Sequence, residues 1–302
     1  MSTIIHLMNP AAGKGSLPDK NTLEGEVYLT KFPGDAVEYL KNRLVGGDDY
    51  VIYVYGGDGT LHEAAKGIML ADQDAKVTLV PVPTGSGNDF YRVTGELDHT
   101  VPCDIIKYNG TYAINEVNVG FDCDVAKRTN ILKSHRFIGG SFAYILGVIV
   151  EFARKRATHL KITVTSADGT VESFEDDYLL CAVANGRYYG GGFMAAPIAD
   201  VSDGLLDVII VKNISRLRFV SIIGVYKKGT HIDTETGEII PELADIVTFR
   251  KAVKVSFEGA HRFSADGEIH DNASGALTVE CVPAAISVRS DTKSAEKEPS
   301  LK

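Results

Sequence analysis

The chain has 302 residues, of which 44% are hydrophobic and 24% charged, a composition typical of a soluble globular protein. The formal net charge is -9 at pH 7, so no global basic field favours nucleic acid as a partner. A chain of this length is expected to fold as two domains.

The cysteines and the N-terminus bear on the cellular compartment. Four widely spaced cysteines form no CxxC pair, and we interpret them as buried free thiols in a reducing cytoplasm: Cys103, Cys123, Cys181 and Cys281. The first residues, MSTIIHLMNP, carry no basic segment and no long apolar one, so we expect no signal peptide. The longest apolar run, 142–150, is shorter than the roughly 20 residues that span a bilayer.

Short apolar strands alternate with helical segments in the first third of the chain. The pattern predicts strands at 3–8, 50–55 and 76–82 and helices at 36–45 and 61–70. Such alternation is typical of a parallel sheet with helices on both faces, so we predict an α/β domain. Ligands of these sheets bind beyond the carboxyl ends of the strands.

From about residue 118 the pattern changes to strands joined by turns, as in HLKITVTSADGTVESFEDDYLLCAVANG. We predict a mostly antiparallel domain, a β-sandwich or barrel, interrupted by helices at 141–156 and 215–228. The tail at 291–302 has charged, small and polar residues and is predicted to be disordered.

A glycine-rich loop follows each of the three predicted strands: NPAAGKG (9–15), GGDGT (56–60) and PTGSGND (83–89). Glycine lets a ligand approach the peptide N–H groups, and a helix N-terminus attracts anions, so a phosphate is favoured. Asp58 would repel a phosphate unless a cation such as Mg²⁺ lay between them. The loops therefore predict a site for a magnesium nucleotide. A tight strand-to-helix turn with a capping aspartate is the alternative.

In order along the chain, NPxAGxG, GGDGT and PTGxxNDF resemble the motifs of the diacylglycerol kinase catalytic family. That family includes soluble bacterial lipid kinases and the sphingosine and ceramide kinases. Three later segments agree with it: NEVNVGFDCDV (115–125), NGRYYGGGFMAAPIADVSDGLLDVIIV (185–211) and SADGEI (264–269). The resemblance covers about residues 3–290. Neither the Walker phosphate loop nor GxGxxG is present.

The resemblance implies an ATP-dependent lipid kinase that phosphorylates a hydroxyl of diacylglycerol or a similar lipid in the cleft between two domains. An α/β nucleotide domain would span 1–117, with a returning strand at about 281–290, and a β-sandwich lipid domain 118–280. The motif match assigns these ATP-binding positions: Asn9, Thr30, Gly56, Gly57, Asp58, Gly59, Thr60, Leu61, His62, Thr84 and Asp89. The family commonly has asparagine where His62 stands, so His62 is interpreted either as a polar contact or as a surface helix residue.

The resemblance also implies which residues take part in phosphoryl transfer. Asp266 matches the aspartate that accepts the hydroxyl proton, whereas the residues ADGE alone would predict only a hairpin turn. Glu268 is expected to help hold this aspartate or the metal. Asp58 is expected to contact the Mg²⁺ carried by ATP, with Asp89 in support. A cap on the helix that starts at Phe90 is the alternative for Asp89.

A structural cation is implied at ADVSDGLLD, with Asp200, Asp203 and Leu205 as ligands, because similar bacterial members hold one at this turn. An Asp-Gly turn without a metal is the alternative.

Contact with a membrane is predicted for the segment 133–156, whose apolar middle is flanked by lysines and arginines. Such a segment suits an anionic surface, where each nearby cation contributes roughly 1 kcal/mol. A core helix is the alternative. We therefore expect a cytoplasmic protein that associates peripherally with the membrane. Sheet edges in the second domain are compatible with a homodimer.

Two other functions stay open. An NAD-kinase-like enzyme would share GGDGT, but NPAAGKG, PTGSGNDF and the DGLLDV strand argue against it. A non-catalytic nucleotide- or lipid-binding regulator is disfavoured because Asp58, Asp89 and Asp266 are retained.

Overall fold

The computed structural model describes residues 2–12, 17–71, 74–85, 87–120 and 157–291. The chain divides into two compact units, 1–103 with 284–302 and 104–283, and each is described by itself. Several predictions lie outside the described residues: the helix at 141–156, the membrane segment 133–156, Cys123 and the tail from 292 onwards.

The first unit is built on a parallel sheet whose strand order is β2, β1, β3, β4 and the C-terminal half of β15. Its strands are β1 Thr3–Met8, β2 Glu26–Leu29, β3 Asp49–Gly56, β4 Lys76–Pro83 and the end of β15 Leu277–Val288. Its helices are α1 Asp35–Arg43, α2 Asp58–Met69 and α3 Asp89–Thr94.

Apolar side chains from neighbouring strands form the core of this unit. In the β1–β3 register Ile5 lies beside Ile52, and both side chains are fully buried. Helices α1 and α2 pack closely at Gly67, where an added Cβ would lie 3.1 Å from the carbonyl oxygen of Val37. The strands and helices predicted for this region are confirmed. Strand β2 was not predicted, because its four residues are too few for a periodic signal.

The second unit consists mainly of antiparallel strands. The order is β14, β13, β7, β9, β8, β12 and the first half of β15, while β10 joins β9 and β11 joins β10. The strands are β5 Val101–Tyr108, β6 Thr111–Ala113, β7 Glu116–Gly120, β8 Thr158–Thr165, β9 Val171–Ala184, β10 Leu206–Lys212, β11 Val247–Ala252, β12 Lys254–Glu258, β13 Arg262–Ala265 and β14 Glu268–Asp271. Helix α4 spans Arg216–Lys228 and confirms the helix predicted there.

Two hydrophobic clusters lie on opposite faces of the central strands. On β9, Cys181 and Val183 belong to one cluster, whereas Leu180 and Ala182 belong to the other. Strands buried on both faces are typical of a sandwich whose outer side is covered. Phe219 and other residues of α4 pack in the second cluster. The predicted fold class, an α/β domain followed by an antiparallel β-sandwich, is confirmed.

In the part of the chain that the structure describes, no helix is both long and apolar enough to cross a bilayer.

Candidate functional site

The GGDGT loop (56–60) and the PTGSGND loop (83–89) are bonded to each other through their backbones. The N–H of Asp58 donates to the carbonyl of Gly87 over 3.0 Å. The N–H groups of Thr84 and Gly85 donate to the carbonyl of Gly56, each over 3.2 Å. Since β3 and β4 are parallel neighbours, these loops leave the sheet at the same edge. Two of the three glycine-rich loops therefore lie together at the carboxyl edge of this sheet.

The glycines of the two loops have different reasons to be glycine. A Cβ on Gly57 would lie 2.7 Å from the carbonyl oxygen of Gly87, and one on Gly85 would lie 2.5 Å from the Cα of Gly57. A Cβ on Gly56 would collide with the side chain of Thr60. These three glycines therefore permit close packing of the protein on itself. Only Gly59 differs, because a Cβ there would meet no described atom within 4 Å.

Asp58 connects the GGDGT loop to helix α3. Its Oδ1 accepts the N–H groups of Asp89 over 2.8 Å and of Phe90 over 3.3 Å, which are the first two residues of that helix. Asp58 therefore caps helix α3, whereas α2, the helix that follows the GGDGT turn, has no side-chain cap among the described residues. Asp89 is the first helical residue and is buried. The alternative that Asp89 caps a helix starting at Phe90 is therefore wrong, because the helix already begins at Asp89.

The start of the NPAAGKG loop is hydrogen-bonded to the GGDGT loop. The side-chain amide of Asn9 donates to Thr60 Oγ1 over 2.9 Å, and its Oδ1 accepts the N–H of Ala11 over 2.9 Å. Thr30 follows β2, and its N–H donates to the carbonyl of Met8 at the end of β1. Residues 13–15 of the first loop, and Ser16 after it, lie outside the described part.

Thr84 presents a buried polar atom to this edge of the sheet. Among the described residues its Oγ1 has no hydrogen-bond partner, although the atom is inaccessible to water. A buried hydroxyl without a partner is costly, so a ligand that supplied one would be favoured. A shallow depression lies against the same loops and is lined partly by Gly56, Asp58 and Asn88.

Leu61 and His62 point into the fold from α2. Leu61 is 4% exposed and His62 is 1% exposed. The interpretation of His62 as a surface helix residue is therefore wrong. Any contact of Leu61 with a nucleotide would have to use its backbone.

In the second unit, Asp266 occupies a two-residue hairpin turn between β13 and β14. Both turn residues have positive φ, 47° for Asp266 and 83° for Gly267, as a tight hairpin requires. The carboxylate accepts three backbone N–H groups over 2.9 Å each, from Ile114, Asn115 and Glu116. Asp266 therefore occupies the hairpin turn that the residues ADGE alone predict. The turn directs its carboxylate towards residues 114–116, and its role as proton acceptor stays a prediction.

The N–H groups that hold Asp266 are themselves fixed by residues that the sequence did not single out. Asn185, which is 1% exposed, donates its side-chain amide to the carbonyls of Asp104 and Ile114, each over 2.8 Å. In the sequence, the signal for Asn185 was an asparagine that directly follows the apolar run LLCAVA. Glu268 is exposed at the start of β14. Burial, together with the charges of Asp266 and Glu268, raises the pKa of the Tyr108 hydroxyl, so this tyrosine stays protonated beside them.

The turn predicted to hold a structural cation is closed by its own hydrogen bonds. Asp200 Oδ1 accepts the N–H and the hydroxyl of Ser202, over 2.9 and 2.7 Å. Asp203 Oδ1 accepts the N–H of Leu205 over 2.9 Å. Among the described residues, no group of three His, Cys, Asp or Glu side chains is arranged to hold a metal ion. The Asp200 and Asp203 carboxylates are thus hydrogen-bonded within the turn, and the cation predicted there stays a prediction.

Comparison with known proteins assigns both units. Residues 4–117 match the diacylglycerol kinase catalytic domain, and residues 115–290 match the YegS C-terminal NAD kinase beta sandwich-like domain. The chain belongs to the diacylglycerol kinase catalytic family. This confirms the family inferred from the three loop motifs.

Members of the diacylglycerol kinase family from several bacteria are similar to this chain. A "Probable lipid kinase YegS-like" of Pseudomonas savastanoi pv. phaseolicola is 30% identical over 203 residues, which cover 64% of this chain and 63% of that protein. A diacylglycerol kinase of Mycobacterium tuberculosis is 28% identical and aligns over 89% of this chain and 92% of its own length. This chain thus spans less than two thirds of the pseudomonad relative.

The fold of the family is also found in a crystal structure of a diacylglycerol kinase from Bacillus anthracis str. Sterne. That structure superposes with a TM-score of 0.65 at 21% identity and covers 97% of this chain and 98% of that one. The likeness supports the α/β plus β-sandwich architecture.

Proposed function

We propose that this protein transfers the γ-phosphate of ATP to a hydroxyl of diacylglycerol or a similar lipid alcohol. The observation that carries the proposal is the pair of interlocked loops at the carboxyl edge of the parallel sheet. Four of their glycines, Gly56, Gly57, Gly85 and Gly87, serve loop packing. A Cβ on Gly59 would meet nothing described within 4 Å, and the hydroxyl of Thr84 has no described hydrogen-bond partner. Gly59 lies in the first turn of α2, where backbone N–H groups and the helix dipole favour a phosphate.

Asp266 is proposed as the acceptor of the lipid hydroxyl proton. Its hydrogen bonds to Ile114, Asn115 and Glu116 fix the carboxylate in one orientation. A carboxylate that is already oriented can accept a proton without a rearrangement. Glu268, two residues on, is proposed to keep the local field negative.

The Mg²⁺ that accompanies ATP would be held mainly by the phosphates, with Asp58 and Asp89 as the nearby carboxylates. A hard cation with one or two protein carboxylates and phosphate oxygens fits this donor set. When bound, the ion would neutralise charge on the phosphoryl group. The chain itself would orient the phosphates through the backbone N–H groups of the loops. The absence of a side chain at Gly59 would leave room for a phosphate.

Release of ADP in mixed micelles tests the proposed reaction. Purified protein is given ATP and Mg²⁺ with diacylglycerol, with a sphingoid base, or with NAD in place of the lipid. We expect turnover with a lipid alcohol and none with NAD. Turnover with NAD alone would favour the NAD-kinase-like alternative, whereas tight ATP binding without turnover on any lipid would favour the regulator.

Substitutions of Asp58 separate its two proposed roles. Asp58→Asn keeps an oxygen for the N–H groups of Asp89 and Phe90 but loses the charge, so we expect unchanged thermal stability and a several-fold higher Mg²⁺ requirement. Asp58→Ala also removes the cap on α3, which is typically worth about 1 kcal/mol, so its Tm should fall as well. Calorimetry and magnesium titrations of activity check both. An Asn variant with the wild-type Mg²⁺ requirement would leave Asp58 only the structural role.

Peripheral contact with an anionic membrane is proposed for the exposed face of helix α4, in a protein that works in the cytoplasm. Leu217 is 86% exposed and Val220 is 59% exposed, one turn apart on the same face. The helix sequence RLRFVSIIGVYKK contains four cations and no acidic residue, in a chain whose net charge is -9. Exposed apolar side chains on a helix whose sequence carries net positive charge suit the boundary of an anionic bilayer.

Co-sedimentation with phosphatidylglycerol vesicles tests this face. The double substitution Leu217→Glu and Val220→Glu should lower the apparent affinity for the vesicles about tenfold, because two apolar side chains no longer enter the bilayer. Val171→Glu is the matched control, since Val171 is 61% exposed and lies on strand β9, outside α4. Equal binding of the double variant and the control would remove α4 as the membrane contact.

A further inference from the structure

The turn at 200–205 lies beside a lysine of the neighbouring strand. In the β10–β11 register Lys251 is directly opposite Asp207. The Lys251 Nζ lies 2.6 Å from Asp203 Oδ2 and 3.0 Å from Asp207 Oδ1. The ammonium group therefore bridges the turn and the strand that follows it.

The Lys251 ammonium group neutralises the carboxylate of Asp207, which has few other polar contacts among the described residues. Asp207 is 1% exposed, and among the described residues its Oδ2 has no hydrogen-bond partner. A buried carboxylate is strongly disfavoured unless it is paired, so Asp207 depends on Lys251. Asp104 adds a further buried acid, whose Oδ2 accepts the N–H of Gly204 over 2.7 Å. The cluster of acids around this turn needs a cation.

We propose that Lys251 supplies that cation, so that in this protein an internal ammonium group replaces the structural divalent ion expected at the turn. The oxygens of Asp203 are divided between the N–H of Leu205 and Lys251, as expected of an ion pair and not of a metal site. A lysine in this position would also repel an incoming divalent ion. The turn is then formed by the chain alone, independently of the metal content of the medium.

Thermal unfolding of the nucleotide-free protein tests the proposal. We expect the wild-type Tm to be the same in EDTA and in millimolar Mg²⁺ or Ca²⁺. Lys251→Met should lower the Tm by about 5 °C or more, because Asp207 is left as a buried charge without a partner. A millimolar divalent ion should raise the Tm of this variant and not that of the wild type, since it can occupy the place of the ammonium group.

Lys254→Met is the matched control. Lys254 lies on β12, the next strand along the chain after β11. Lys254 Nζ lies 2.8 Å from Glu280 Oε1, and both side chains are more than a third exposed, at 45% and 38%. Exposed pairs of this kind contribute little, so we expect a Tm within about 2 °C of the wild type. Lys251→Met no less stable than this control would overturn the proposal.

Two measurements keep the proposal testable if Lys251→Met does not fold. Lys251→Arg retains a cation, so it should fold under conditions in which Lys251→Met does not. Mn²⁺ titration of the nucleotide-free wild type, followed by electron paramagnetic resonance, should reveal no tight site that Asp203→Asn removes. A wild-type Tm that falls in EDTA, or a tight Mn²⁺ site lost in Asp203→Asn, would assign the cation to a metal instead.

Discussion

Asp266→Asn is expected to lower kcat by about 10²–10⁴-fold while ATP affinity stays near that of the wild type. The reason is that the amide is not basic, whereas the nucleotide loops lie elsewhere in the chain. Single-turnover kinetics and equilibrium ATP binding measure the two effects. Turnover equal to that of the wild type would remove Asp266 as the proton acceptor.

The hydrogen bonds of Asp266 require a control for structural damage. Asparagine can accept the N–H groups of Asn115 and Glu116 through its oxygen, but its NH₂ group would then face the N–H of Ile114. Some loss of stability is therefore expected with the loss of rate. The pH–rate profile separates the two, because only loss of the base removes its ionisation. Asp271→Asn, at an 80% exposed carboxylate of the same hairpin, is the matched variant and should keep both rate and profile.

Gly59→Ala is expected to raise the KM for ATP by about 10-fold to 100-fold without destabilising the protein, because the methyl group would enter the space proposed for the phosphate. Nothing described lies within 4 Å of that methyl, and alanine is favoured over glycine in a helix. Gly57→Ala should instead lower the Tm, because its Cβ would meet the carbonyl oxygen of Gly87. ATP kinetics and calorimetry on both variants distinguish a ligand contact from a packing contact.

Gly224→Ala is the control for the helix effect. Gly224 lies in α4, and a Cβ there would also meet nothing within 4 Å. We expect it to stabilise the protein slightly and to leave the equilibrium affinity for ATP, measured without lipid, unchanged. A Gly59→Ala enzyme with the wild-type KM for ATP would place the phosphate elsewhere.

Local patterns in the chain were enough to predict the parallel sheet. The strands at 3–8, 50–55 and 76–82 are continuous apolar runs, which only a sheet covered on both faces can bury. The helix at 215–228 was also predictable, since Ser215 caps its start and Gly229, with a φ of 74°, ends it. Strand β2 was missed because register with β1, and not its own sequence, makes EVYL a strand.

The sequence by itself determined the fold class, the family and the three loops at the strand ends, because apolar periodicity and glycine placement are local properties. Only the tertiary structure decided which atoms those residues meet. Gly57 and Asp58 serve contacts with residues about thirty positions away, and Asp266 is held by N–H groups some 150 positions away. Contacts at such separations depend on how strands align, and no local pattern encodes the partner. For the same reason Lys251, an ordinary strand lysine in the sequence, is recognised as the partner of Asp203 and Asp207 only after β10 and β11 have paired.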